Sequence, residues 1–231
     1  MTGKPARGRN WGTEMCGKFT TRAHWAQIVD LAFAQPANPG DEDSIQTFRV
    51  MDILCIIAWD ATRGMRRLGL MRWGFPHPQD FRRPQPIHAR GETVDTVPAF
   101  ADAFRDGQRG IVLVNSFNEA PDKGGQHVIT PAGPIGIAFV WRRFEIAGQL
   151  EPLFACVMVT VPANTLLTGL PTDRMPAVLA PEDWETWLAG SPGAAKACLK
   201  TVEDVRWTMA PEQRKSARRA KPMVSDPGGL F

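Results

Sequence analysis

Proline and glycine interrupt this chain often, with 20 Pro and 21 Gly spread over 231 residues, which suggests many turns and short elements. Proline fixes φ and removes a backbone donor, and glycine raises the entropy cost of ordering, so both punctuate helices and strands. What survives between them is a series of short apolar runs, several rich in β-branched residues. Hydrophobic residues make up 43% of the chain, enough for a real core. The length suits one large domain or two small ones.

Strands are expected at 48–59 and 67–73, joined as a hairpin by a turn at 60–64. Further strands are expected at 110–117, 128–130, 135–142 and 153–161, with a last one near 202–207. Residues 74–86 read as a long Pro-rich loop and 87–93 as a short extended segment. Helices are expected at 21–34, where Trp25, Ile28, Val29, Leu31 and Ala32 share one face, and at 97–104, with a helical turn at 162–167. Another at 181–188 starts on Pro181 and carries Glu182 and Asp183 at its positive end. Strands dominate and do not alternate regularly with helices. The expected class is α+β: one domain on a mostly antiparallel, curved sheet or open β-barrel-like core with short peripheral helices. Residues 1–14 read as a disordered leader or a misplaced start, 15–211 as the domain, and 212–231 as a basic disordered tail.

The net charge of +3 divides unevenly. The tail from Glu212 carries +3 and the leader before Met15 carries +2, which leaves the body at −2. A nucleic-acid surface on the body is therefore a local stripe and not a global field. Cys16, Cys55, Cys156 and Cys198 are far apart, with no CxxC pattern, which argues against a zinc site and a disulfide framework. No secretory signal or membrane-length apolar run is present, so a monomer in a reducing cytoplasm, without metal or cofactor, is the expectation.

Met15-Cys16-Gly17-Lys18-Phe19-Thr20 places a cysteine directly after an internal methionine. As a mature first residue, Cys16 would carry a thiol and a free α-amine on adjacent carbons, a pair that closes on an aldehyde as a five-membered thiazolidine ring. The alternative is an ordinary buried strand cysteine. Glu119 ends the apolar run at 110–117, either as a solvated turn residue or as a carboxyl held at the mouth of the sheet for proton transfer. His88, Arg90 and Glu92 share one face of an extended segment. Arg90 and Glu92 then form a surface ion pair, or Arg90 binds phosphate beside a His that meets a reacting group. Trp73, followed by Gly74, either fills the core or offers a face for a base. Asp173 and Arg174 sit in a rigid loop bracketed by Pro171 and Pro176.

Taken in order, these pieces resemble the SRAP family, the SOS-response-associated peptidase or abasic-site processing proteins. The matching stretches are MCGKFT at 15–20, MRWGFPHP at 71–78, HARGET at 88–93 with PAFADAF at 98–104, GIVLVNSFNEA at 110–120, VTVPAN at 159–164 and TDRMPAVLAPEDWETWL at 172–188. The resemblance implies a mixed α/β domain with a β-barrel-like core that binds single-stranded DNA. It implies that Cys16 captures the aldehyde of an abasic site as a thiazolidine, that Glu119 assists the proton transfers, and that the lesion is shielded from scission. Removal of the preceding Met to expose the Cys underlies the family's peptidase label. Three departures stand out: His88 replaces the family's usual Asn, Thr172 replaces its usual His, and Gln46 to Asp52 replaces an R-Y-N-x-A-P-T-Q segment. The imidazole has, on this view, moved from the Thr172 position to His88.

The expected activity is therefore abasic-site cross-linking. Cys16 is the nucleophile, Glu119 the proton shuttle and His88 the polariser of the aldehyde or sugar oxygen. Lys18, Arg90 and Arg174 hold phosphates, with Thr172 beside them, and Trp73 and Gly74 form a wedge or platform at the lesion. Two alternatives stay open: a cysteine hydrolase built on Cys16, His88 and Glu119, and a non-catalytic single-strand-binding module.

Overall fold

The structure is a computed structural model that describes residues 17–21, 46–119, 125–204 and 206–212. The leader lies outside the described residues, as do the expected helix at 21–34 apart from Thr21, which is strand, and the tail apart from Glu212. Within them the chain is mostly β, with a few short helices against a curved sheet.

Two main sheets and a small two-stranded one make up the strands of the described residues. The smaller main sheet has five strands: β1 (Lys18–Thr21), β2 (Gln46–Arg49), β9 (Ser116–Glu119), β10 (His127–Thr130) and β15 (Thr208–Pro211), in the order β15-β10-β9-β1-β2. All its pairings are antiparallel. The larger has eight strands: β3 (Ile53–Asp60), β4 (Met65–Trp73), β7 (His88–Arg90), β8 (Arg109–Val114), β11 (Ile135–Phe144), β12 (Leu153–Pro162), β13 (Arg174–Pro176) and β14 (Val178–Leu179). Its hydrogen-bonded path runs β12-β4-β3-β8-β11 and returns to β12, because β11 also pairs with β12. Only the β12–β4 and β12–β7 pairings are parallel.

The 48–59 run is not one strand. It splits into β2 and β3 at Val50 to Asp52, where Met51 takes φ 83° and Asp52 N donates to Arg49 O. The apolar run at 110–117 splits likewise into β8 and β9 at Asn115, whose N–H donates to Thr20 O at 2.9 Å. Both breaks fall where the chain leaves one sheet for the other, a tertiary event that local propensity does not encode. The 74–86 loop instead holds a small hairpin, β5 (Pro76–His77) with β6 (Asp80–Pro84). The expected last strand lies slightly later, at β15.

Helices are short, as the breakers dictate. α1 (Ala101–Arg105) occupies the end of the expected 97–104 helix. A 3-10 turn at Leu167–Gly169 follows Asn164, whose side-chain Oδ1 accepts from Leu167 N. α2 (Trp184–Ala189) follows a 3-10 turn at Pro181–Asp183, and α3 (Pro192–Ala197) was not expected. Ser191 Oγ caps α3 by accepting from Ala194 N.

The core fills the space inside the larger sheet and between the two sheets. Trp73, Trp187, Phe19, Phe104, Phe117 and Phe139 are all fully buried. Trp187 Nε1 donates to Gly110 O at 2.9 Å, which docks α2 on β8. A Cβ on Gly110 would stand 2.4 Å from Ile56 Cδ1, so the β3–β8 approach requires a glycine there. In the described residues no helix is long and apolar enough to cross a membrane.

Candidate active site

Glu119 closes β9 and is 2% exposed. The apolar run before it explains this position. Phe117 and Glu119 alternate onto the same face, and Phe117 is wholly buried, so the strand carries the carboxyl inward. On one side of β9 lies β1, with Lys18 opposite Asn118 and Phe19 opposite Phe117. That register, continued one step, brings Gly17 level with Glu119. Cys16, the residue before Gly17 in the sequence, lies outside the described residues. On the other side lies β10, with His127 opposite Glu119.

The opposite face of the same strands is polar. Asn118 is buried, and its Nδ2 donates to Gln126 Oε1 at 3.4 Å. Lys18 Nζ pairs with the Glu212 carboxylate, and Glu212 N donates to Gln126 O. The start of the basic tail is thus tied across the end of this sheet.

His88 opens β7 in the larger sheet, opposite Met158. Its ring meets Trp73 edge-on with centroids 6.4 Å apart, and Trp73 in turn meets Phe19 of β1 at 5.1 Å. Trp73 is 0% exposed, and its Nε1 donates to Ile87 O. The Trp73 ring is therefore a core residue between the sheets and presents no face for a base to stack on. Gly74 takes φ 107°, and a Cβ there would fall 2.5 Å from Pro84 Cβ, so the turn demands glycine.

Arg90 is exposed at the end of β7. Glu92 does not pair with it, as one sequence reading had it. Instead Arg174 grips Glu92 in a two-pronged contact, Nη1 to Oε1 at 2.6 Å and Nη2 to Oε2 at 2.7 Å. Arg174 Nη2 also donates to Thr160 O at 2.7 Å. These bonds from Arg174 hold the Glu92 carboxyl below the ordinary carboxylate range. Thr172 Oγ1 donates to Arg174 O and accepts from Arg174 N, so it fixes the start of β13. Arg174 is thus a buried tie between β13, β12 and the segment after β7.

Three of the four cysteines are described, and none is in a disulfide. Burial pushes the Cys55 thiol up to about 11 and raises those of Cys156 and Cys198 too, so none of the three is an activated nucleophile. Among the described residues, no three or more His, Cys, Asp or Glu side chains come together as a metal site.

The sequence matches the family described as SOS response associated peptidase (SRAP) over residues 15–219. The chain belongs to this family. The match begins at the Met15-Cys16 pair. No curated protein matches the sequence significantly. Several solved structures share the SRAP-like fold. A Bacteroides thetaiotaomicron protein matches with TM-score 0.75 at 18% identity, over 86% of this chain and 93% of its own. A Bordetella bronchiseptica protein matches with TM-score 0.72 at 19% identity, over 86% of this chain and 100% of its own. A phage-related protein from the same organism matches with TM-score 0.63 at 18% identity, over 86% and 95% of the two chains. At these identities the likeness speaks for the fold alone. The family's description ties it to the SOS response and carries a peptidase label.

The sequence reading missed His127, which the fold sets opposite Glu119. The residue lies in a short run with no motif. Only the β9–β10 register brings it to the carboxyl, and that pairing is not written in local spacing.

Proposed function

We propose that this SRAP protein captures abasic sites in single-stranded DNA, using Cys16 once it stands at the mature N-terminus. The observation that carries the reading is the buried Glu119 at the end of β9, on the strand paired with the one that leads back to Gly17 and Cys16. The absence of an activated thiol at Cys55, Cys156 and Cys198 supports Cys16 as the nucleophile.

The chemistry balances without a cofactor. The Cys16 α-amine adds to the aldehyde carbon of the ring-opened sugar to give a carbinolamine. Its hydroxyl leaves as water with a proton from the Glu119 carboxyl, giving a protonated imine that keeps its N–H. The Cys16 sulfur then attacks the same carbon, a C–S bond forms, and the thiol proton passes to the Glu119 carboxylate. The net reaction releases one water, and reversal consumes one. Glu119 serves as acid in the first step and as base in the second. His88 polarises the aldehyde or sugar oxygen from the Trp73 side of the site. Lys18 and Arg90 hold phosphates and set the strand's position without reading sequence. Lys18 does so by exchanging Glu212 for the DNA backbone. Arg174 and Thr172 act beside them by holding the start of β13, and Gly74 shapes the turn at the lesion.

The test is incubation of a chain beginning at Cys16 with an oligonucleotide carrying one abasic site, followed by denaturing electrophoresis. A heat-stable adduct absent with Cys16→Ser supports the reading. Peptide or ester turnover by a chain retaining residues 1–15 would favour the hydrolase in its place. Salt-sensitive binding with no surviving adduct would favour a binding module.

A further inference from the structure

His127 opens β10 directly opposite Glu119. Residues so placed on antiparallel strands put their side chains on one face, with Cβ atoms roughly 4.5–5.5 Å apart. On that face Phe117 and Ile129, themselves cross-strand partners, are both wholly buried and form an apolar floor. Glu119 is buried beside it, and His127 Nδ1 is a buried nitrogen with no hydrogen-bond partner among the described residues. A buried ring nitrogen without a partner is unfavourable unless the site's own chemistry completes it. β15 closes the far side, with Pro211 opposite His127, and the next residue, Glu212, is taken by Lys18. Among the described residues, the charged groups on or just beyond the strands around β10 are therefore Glu119, Glu212 and Lys18. Of these, only Glu119 shares the cross-strand position of His127.

We propose that His127 is the proton-relay partner of Glu119, a positioning residue that acts through the carboxyl. The proposal rests on the abasic-site reading above. The His127 ring supplies the proton that Glu119 passes to the departing hydroxyl, and it takes back, through Glu119, the proton that the thiol gives up during closure. Both are proton transfers, with no change of oxidation state. An imidazole can do this because one ring nitrogen accepts while the other donates.

The experiment compares single-turnover adduct formation by the wild-type protein, His127→Asn, His127→Gln and Glu119→Gln, and the two doubles with Glu119→Gln. Circular dichroism checks that each is folded. Slowing by about tenfold or more is expected in both single His127 variants, with no further slowing in the Glu119→Gln background. Added imidazole should restore part of the rate to His127→Ala, which a merely structural role would not allow. An unchanged rate in both single variants, or full slowing that persists without Glu119, overturns the relay. If the variants do not fold, 15N NMR of the wild-type ring decides. Ring-nitrogen shifts that change on adduct formation are expected, and shifts that stay the same overturn the proposal. A wild-type protein that forms no adduct removes the abasic-site reading and this inference with it, whereas failure of the His127 variants to slow removes the relay alone.

Discussion

The two sheets fill their buried positions differently. In the eight-stranded sheet the positions buried on β8, β11 and β12 are almost all apolar: Val112, Ile137, Phe139, Val157 and Val159 are typical. Its buried Arg174 is tied by both Nη atoms, to Glu92 and to Thr160, with only its Nε left without a partner among the described residues. In the five-stranded sheet, by contrast, Glu119 and His127 share a face with Phe117 and Ile129. An ionisable group among apolar neighbours costs stability and gains chemical leverage. The larger sheet is thus packed mainly with apolar side chains, whereas the smaller one buries a carboxyl beside an imidazole, the pair to which proton transfer is assigned above.

That contrast can be broken from the stability side first. The largest loss is expected for Trp187→Ala, which empties a wholly buried site and leaves Gly110 O without its donor, at about 3–5 kcal/mol. Urea unfolding measures it, and a loss below about 1 kcal/mol would contradict the place given to the larger sheet. Gly74→Ala comes next, at about 1–3 kcal/mol, from a left-handed backbone and the close approach of Pro84. Arg174→Met should cost about 1–3 kcal/mol, because the buried Thr160 carbonyl loses a donor.

The same variant has a pH signature. The Glu92 carboxyl is depressed in the folded protein, so its contribution is present above the unfolded Glu value of about 4.3 and is lost as pH falls through the lower folded value. Wild type should therefore lose stability on acidification below about pH 4–5, and Arg174→Met or Glu92→Gln should lose less over that window. Equal acid slopes in all three would show that the pair is not formed in solution.

The smallest change in stability and the largest in chemistry are expected at Glu119→Gln, which keeps the shape of the side chain. Unfolding should shift by less than about 1 kcal/mol, while adduct formation or reversal slows by about a hundredfold or more. An unchanged rate removes Glu119 from the mechanism. A variant that fails to fold would make the carboxyl a structural group and erase the contrast between the sheets.

How much of this was legible in the sequence depends on the range of the cause. The apolar runs at 67–73, 135–142 and 153–161 emerged as strands because their causes are local. The breaks at Met51 and Asn115 were not legible, since each marks a passage between sheets. α3 carried a readable start in Ser191-Pro192, a cap residue followed by proline, that the expected elements passed over. Glu119 stood out because it ends an apolar run. His127 and the Arg174–Glu92 tie did not, because one depends on strand register and the other spans 82 residues.

The most direct test joins the intact mass of the protein from its native host with its reaction toward an oligonucleotide holding one abasic site. The account predicts a mature chain that begins at Cys16 and forms an adduct that survives heating, with its mass equal to protein plus DNA less one water. A chain that retains residues 1–15 and forms no adduct, even after those residues are removed to expose Cys16, would contradict it.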